Sequence, residues 1–165
     1  MKRFGSAAWN GGLREGKGSV STESRALETY PYTFFSRYGE KPGTNPEELL
    51  GAAHAACFTM SFVRLLGMAN FVPEQVDSKS EVVIDKDGDG FSITSVHLTV
   101  TAKIPGIDQD AFQSIAAKAK GRLPCLQTHE GRDWLRSHSP PVSLRRWGAQ
   151  GGSPRCAPLI SWIGS

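Results

Sequence analysis

The sequence predicts an α+β fold, and three of its features carry that reading. A long apolar segment opens at Thr44-Asn45-Pro46-Glu47-Glu48 on residues that start helices. Two runs of period-two alternation follow, over residues 81–85 and 91–104. A second, amphipathic helical pattern then covers residues 109–120.

Taken in order, residues 1–44 are rich in Gly, Ser and Thr. The runs Gly18-Ser19-Val20-Ser21-Thr22-Glu23 and Tyr32-Thr33-Phe34-Phe35 predict short strands joined by turns. In the next segment Asn45 can cap a helix, Pro46 fits its first position, and Glu47 and Glu48 favour the positive dipole end. Glu48 also has the spacing for a capping box. The residues that follow, Leu49 to Met60 and on to about Ala69, are apolar on nearly all sides, and a helix without a polar face is a buried one. Gly51, Ala52, Ala53, Ala55 and Ala56 would let another backbone approach closely. This helix is therefore expected at the centre of the fold or at an oligomer interface.

Residues 81–85 and 91–104 read as a β-hairpin. Its turn, Asp85-Lys86-Asp87-Gly88-Asp89-Gly90, matches the first half of a calcium loop. Position twelve of such a loop needs a bidentate Glu, however, and here it is Val96 between strand-like flanks, so a plain turn is expected. Pro105-Gly106 breaks the strand and Asp108 is placed to cap. Phe112, Ile115, Ala116 and Ala119 then form the stripe of a second helix.

With 165 residues, 39% apolar and 21% charged, the chain has the composition of one compact domain with a core large enough to fold without metal or disulfides. It has no run of 18 apolar residues, and Met1-Lys2-Arg3-Phe4-Gly5-Ser6 has no apolar stretch behind its basic residues. A cytoplasmic protein with no membrane partner is expected. The net charge of +3 is unevenly distributed. Residues 1–120 hold 13 Lys and Arg against 14 acids, whereas residues 121–165 hold 6 Arg, no Lys and 2 acids. Those arginines stand singly among Pro, Ser and Gly, with no basic helix or aromatic platform, so no nucleic-acid partner is expected. No Gly-rich loop follows a strand as phosphate binding would need.

The three cysteines, Cys57, Cys125 and Cys156, are too scattered for a disulfide framework or a metal knuckle. A lone Cys in mid-helix beside Phe58 and Met60 is ordinarily a small core residue. A reactive role would need a positive group to stabilise thiolate, for which Arg37 and Arg64 are candidates. Arg64 lies seven residues on from Cys57, about 10 Å along a helix axis, and is out of reach without a bend. His54, three residues before Cys57, is close enough to form a Cys–His pair or a two-ligand metal corner, but neither has a clear third member.

The run Glu40-Lys41-Pro42-Gly43-Thr44-Asn45-Pro46-Glu47-Glu48-Leu49-Leu50-Gly51-Ala52-Ala53-His54-Ala55-Ala56-Cys57-Phe58 resembles the signature of the OsmC/Ohr family of thiol peroxidases, in its OsmC branch. Gly16 to Ser24, Val83 to Phe91 and Pro105 to Asp108 agree, so the resemblance spans roughly residues 1–120. It implies antiparallel sheets around a buried central helix in an intertwined homodimer. The implied activity is reduction of organic hydroperoxides in oxidative or osmotic stress, with no bound cofactor or metal. The implied site residues are Cys57 as nucleophile, Arg37 and Glu47. The implied reductant is an external dithiol, a lipoyl group or lipoylated protein. Phe34, Phe35, Phe58 and Met60 are candidate apolar walls, and equally candidate core residues.

Glu47 precedes Cys57 by ten residues, about 15 Å along one helix, so the two cannot touch within it. Either the chain folds back to bring an Arg between them, or the Glu facing a given Cys comes from a second subunit. Two such helices packed antiparallel about a two-fold axis would give composite sites at the dimer interface.

Beyond about residue 121 the chain departs from the family pattern. The family's second Cys sits in a segment resembling Gly-Cys-Pro-Val-Ser, whereas here Gly121-Arg122-Leu123-Pro124-Cys125-Leu126 follows Lys120. The codons GGC CGG CTG CCC TGT CTC would encode this stretch, and dropping one C from them would give Gly-Gly-Cys-Pro-Val-Ser. Residues 121–165 are therefore expected to be an out-of-frame, poorly ordered segment, and Cys125 a displaced candidate for the resolving thiol. This leaves two functions open, a turning-over peroxidase and a catalytically impaired relative that binds or senses peroxide.

Overall fold

The computed structural model describes residues 1–121 and the backbone of Leu159–Gly164. The chain divides into two compact units, Met1–Leu49 and Leu50–Ser165.

In the first unit, β1 (Gly5–Asn10), β2 (Lys17–Thr22) and β3 (Tyr30–Tyr32) form an antiparallel sheet in that order. Ala7 pairs with Val20, and Val20 with Tyr30. The β1–β2 turn closes with Gly16 N–H donating to the Gly12 carbonyl at 2.7 Å, and Gly11 takes a φ of +90° that favours glycine. Trp9 and Tyr32 pack ring to ring, with centroids 5.3 Å apart.

The structure corrects the strand reading of Tyr32-Thr33-Phe34-Phe35. Strand β3 stops at Tyr32, and Phe34–Tyr38 is a short helix, α1. Thr33 and Ser36 form a reciprocal capping box, Ser36 N–H donating to Thr33 Oγ1 at 3.0 Å and Thr33 N–H to Ser36 Oγ at 2.9 Å. Those two bonds satisfy donors that a strand end would leave open.

Helix α2 (Pro46–Met68) begins where its cap predicts, with Glu48 N–H donating to Asn45 Oδ1 at 2.8 Å. It is long and apolar enough to cross a membrane. In the second unit its stripe Phe58, Phe62 and Leu66 is instead fully buried against sheet and helix. Only that stripe, with Gly51 and His54, is buried; Ala52, Ala53, Ala56, Met60 and Val63 on the remaining surface are exposed.

Strands β4 (Gln75–Asp87) and β5 (Gly90–Lys103) form the long hairpin, in register from Gln75↔Lys103 to Asp87↔Gly90 with an irregularity between Val83 and Ile84. Its turn is the tight Gly88-Asp89 pair, with Gly88 at φ +58° and Asp85 Oδ2 accepting from Thr94 Oγ1 at 2.6 Å. Helix α3 (Gln109–Lys120) starts on the Asp108 cap, which accepts from Ala111 N–H. Backbone residues of β6 (Leu159–Gly164) pair antiparallel with β5, giving the order β4-β5-β6. Leu98, Val100 and Ala102 of β5 meet Phe58, Phe62 and Leu66 of α2 and Phe112, Ile115, Ala116 and Ala119 of α3 in one core. Phe62 stacks with Phe58 at 5.7 Å and meets Phe112 edge-on at 5.4 Å.

Candidate active site

The first unit brings together two of the expected site residues. Buried Ser36 Oγ lies 2.9 Å from the Thr44 carbonyl, and Asn45 Nδ2 reaches the Ser36 carbonyl at 3.5 Å. Gly43 fits beside Ser36 because a Cβ there would lie 2.9 Å from Ser36 Cβ, and its φ of +151° suits glycine. These ties fix the end of α1 beside the start of α2. Arg37, in the last turn of α1, thereby reaches Glu47 in the first turn of α2. Its NH2 group donates to Glu47 Oε1 at 2.7 Å, and Nε lies 3.2 and 3.3 Å from the two carboxylate oxygens.

A forked guanidinium on a carboxylate fixes orientation as well as charge. The hydrogen bond to Glu47 is the main cause of a raised Arg37 pKa, with burial opposing it, so Arg37 is a permanent cation. Glu47 also lies where the helix dipole favours an acid. The pair is partly open to solvent, with side chains 35% and 15% exposed, and its worth to stability is about 1 kcal/mol or less. Its significance is placement of a charge.

The first unit also holds a pocket of about 470 Å³ lined by Arg14, Gly16, Lys17, Thr33, Phe35 and Lys41, together with Glu15. Lys41 Nζ stands 5.0 Å above the Phe35 ring.

Cys57 belongs to the second unit. It is a free, half-buried thiol packed against the core beside Phe58, which is fully buried in that core. Met60, by contrast, is 76% exposed. The two neighbours of Cys57 weighed from the sequence turn elsewhere. Arg64 is exposed, with its NH1 3.7 Å from Met68 Sδ. His54 is buried with Nδ1 2.8 Å from Ser80 Oγ on β4. Burial, and secondly the charge of Lys120, hold its pKa below the ordinary value, so His54 is neutral near pH 7 and supplies no cation for a thiolate.

Sequence reasoning did not find the partners of this helix turn. Thr59 Oγ1 lies 2.7 Å from Ser78 Oγ and 2.8 Å from the Ala55 carbonyl. The only signal was two serines at alternating positions between Val76 and Val82. Cys125 and Cys156 lie outside the described residues. Among the described residues no three His, Cys, Asp or Glu side chains gather to hold a metal ion.

The sequence model of the family described as OsmC-like protein matches residues 39–133, which include Glu47 and Cys57. The chain is 47% identical over 127 residues to peroxiredoxin OsmC of Escherichia coli K12, covering 77% of this chain and 89% of the relative. The chain belongs to the OsmC-like family. A more distant relative of this OsmC-like chain is an organic hydroperoxide resistance protein of Xanthomonas axonopodis pv. citri, 32% identical over 90 residues, or 54% of this chain and 61% of that one. Among solved structures, an organic hydroperoxide resistance protein OsmC from Legionella pneumophila is 28% identical with a TM-score of 0.55, covering 74% of this chain and 85% of its own. One from Elizabethkingia anophelis, 24% identical with a TM-score of 0.59 over 75% and 86% of the two chains, shares the fold.

Proposed function

We propose that this OsmC-like chain is a peroxidase that reduces organic hydroperoxides to alcohols through Cys57. The observation that carries the reading is the forked Arg37–Glu47 pair, formed between the two residues to which the family resemblance assigns the charged part of the site. Relatives named peroxiredoxin and organic hydroperoxide resistance protein support it.

In the proposed reaction the Cys57 thiolate attacks the terminal oxygen of R–O–OH. The S–O bond forms as the O–O bond breaks, leaving sulfenic acid on Cys57 and an alkoxide that takes a proton to become the alcohol. The thiolate is the nucleophile, so a permanent cation held near it raises its population and then stabilises the alkoxide. Arg37 supplies that charge and Glu47 orients it. Within one helix Glu47 and Cys57 are about 15 Å apart, so the pair facing each Cys57 comes from the second copy of a homodimer. The exposed stripe Ala53, Ala56, Met60 and Val63 of α2 supports that assembly, since it offers an apolar surface to a partner.

No resident cofactor is needed. A second thiol, for which Cys125 is the candidate, attacks the sulfenic sulfur and expels hydroxide, and an external dithiol such as a lipoyl group reduces the resulting disulfide. The test is consumption of cumene hydroperoxide with excess dihydrolipoamide, comparing the chain with Cys57→Ser. Many turnovers that vanish in the variant are expected. Consumption of one equivalent or less would replace the peroxidase by a relative that oxidises once and does not cycle.

A further inference from the structure

The turn of α2 that carries Cys57 is held to β4 by two polar contacts, one on each side of the cysteine. His54, three residues before it, bonds Ser80, and Thr59, two residues after it, bonds Ser78. Moving from His54 to Thr59 advances about 7.5 Å along a helix, and moving from Ser80 to Ser78 retreats about 7 Å along a strand. The spans match, so helix and strand run antiparallel here and both bonds close at once. One turn earlier Gly51 lets the backbones meet, since a Cβ at that position would lie 2.8 Å from the Ser80 carbonyl oxygen.

Further along, α2 packs into the core of its unit through the apolar Phe58, Phe62 and Leu66. Apolar burial is non-directional and tolerates small rotations and slides of a helix. Hydrogen bonds in a half-buried seam do not, because a slipped partner is left unsatisfied at a cost comparable to the bond itself.

We propose that Ser78 and Ser80 are positioning residues for Cys57, fixing through Thr59 and His54 the rotation and axial register of the helix turn that presents the thiol. The proposal rests on Cys57 being the reactive group of the peroxidase reading. His54 acts as a neutral hydrogen-bonding group in this seam. The charged group that faces it is Lys120 of α3, and the titratable neighbour on its own helix is Cys57.

The test measures two rates in the full chain, oxidation by cumene hydroperoxide and alkylation by iodoacetamide across pH, for Ser78→Ala/Ser80→Ala, His54→Asn and Ile104→Val. The Asn amide can replace the imidazole Nδ1 toward Ser80. Ile104, buried elsewhere in the core, is a control that lowers stability without touching the seam. The double variant is expected to be slowed about tenfold toward peroxide, the scale on which sub-ångström misplacement acts, and to show a displaced alkylation profile. His54→Asn and Ile104→Val should stay within about twofold of the starting chain on the same scale. Should the double variant fail to fold, Ser78→Ala alone decides by the same two rates. Unchanged rates in a folded serine variant, or an equal loss in Ile104→Val, would overturn the proposal. If the starting chain alkylates but consumes no peroxide, the peroxidase reading fails, and a displaced alkylation profile still upholds the seam.

Discussion

Gly51 of α2 lies against Ser80 of β4 so closely that a methyl group on Gly51 would sit 2.8 Å from the Ser80 carbonyl oxygen. A backbone oxygen in a paired strand cannot swing aside as a side-chain tip can. In an exposed helix, Gly→Ala would stabilise by about 1 kcal/mol through propensity. Here overpacking opposes that gain, and Gly51→Ala is expected to lower stability by about 1–2 kcal/mol. The midpoint of urea unfolding is the measure, and a midpoint above that of the parent chain would show that helix and strand are not in this contact.

The Arg37–Glu47 pair separates stability from activity. Because the pair is partly solvated, Arg37→Lys and Glu47→Gln should each change unfolding free energy by no more than about 1 kcal/mol. Lysine, though, is a point charge without the planar fork, and glutamine removes the charge that holds the guanidinium. Both variants should lose at least about tenfold in the rate of Cys57 oxidation by an alkyl hydroperoxide. Stopped-flow rates beside denaturation curves test this, and a rate loss that merely tracks a large stability loss would count against a role in the chemistry.

His54 makes stability depend on pH. Its ordinary pKa is 6.5, and burial followed by repulsion from Lys120 holds the folded value lower. As pH falls through 6.5, the unfolded chain therefore binds a proton that the folded chain refuses. The stability contributed by the neutral, buried ring is complete above that pH and is lost progressively as pH falls toward the depressed folded value. Melting temperature should decline from pH 7.5 to 5, and His54→Asn should flatten that decline. A parent and variant falling in parallel would assign the acid sensitivity to other groups.

The elements that the sequence made legible are those whose signals are local. Asn45 to Glu48 marked the start of α2, Asp108 the start of α3, and alternation the β4–β5 hairpin. Helix α1 was missed because Tyr32, Thr33 and Phe34 alternate as a strand does, while the signal that decides the matter is the three-residue spacing of Thr33 and Ser36. The Ser78–Ser80 seam was missed for a different reason. A serine on an alternating strand carries no mark of which face it occupies, and its partners His54 and Thr59 lie 26 and 19 residues away. The candidate site residues Arg37, Glu47 and Cys57 were named through the family signature, but the direct fork between the first two needed the Ser36 and Gly43 packing that turns α1 toward the start of α2.

The same limit applies to α2, whose sequence reads as apolar on all sides. Its composition promises burial without saying what covers each face. Within one chain, Phe58, Phe62 and Leu66 are covered, while Met60 remains 76% and Val63 39% exposed. If the second copy covers them, a charge placed on that stripe must be buried with no partner, a change that costs several kcal/mol per dimer. Met60→Glu is therefore expected to convert dimer to monomer by analytical ultracentrifugation, with the far-ultraviolet dichroism of the fold retained. On the composite-site proposal peroxide consumption should fall with the dimer, because each Cys57 would then lose the partner's Arg37–Glu47 pair. A parent chain that sediments as a monomer and turns over peroxide would end the composite-site reading and require each chain to bring its own Arg37 to its own Cys57.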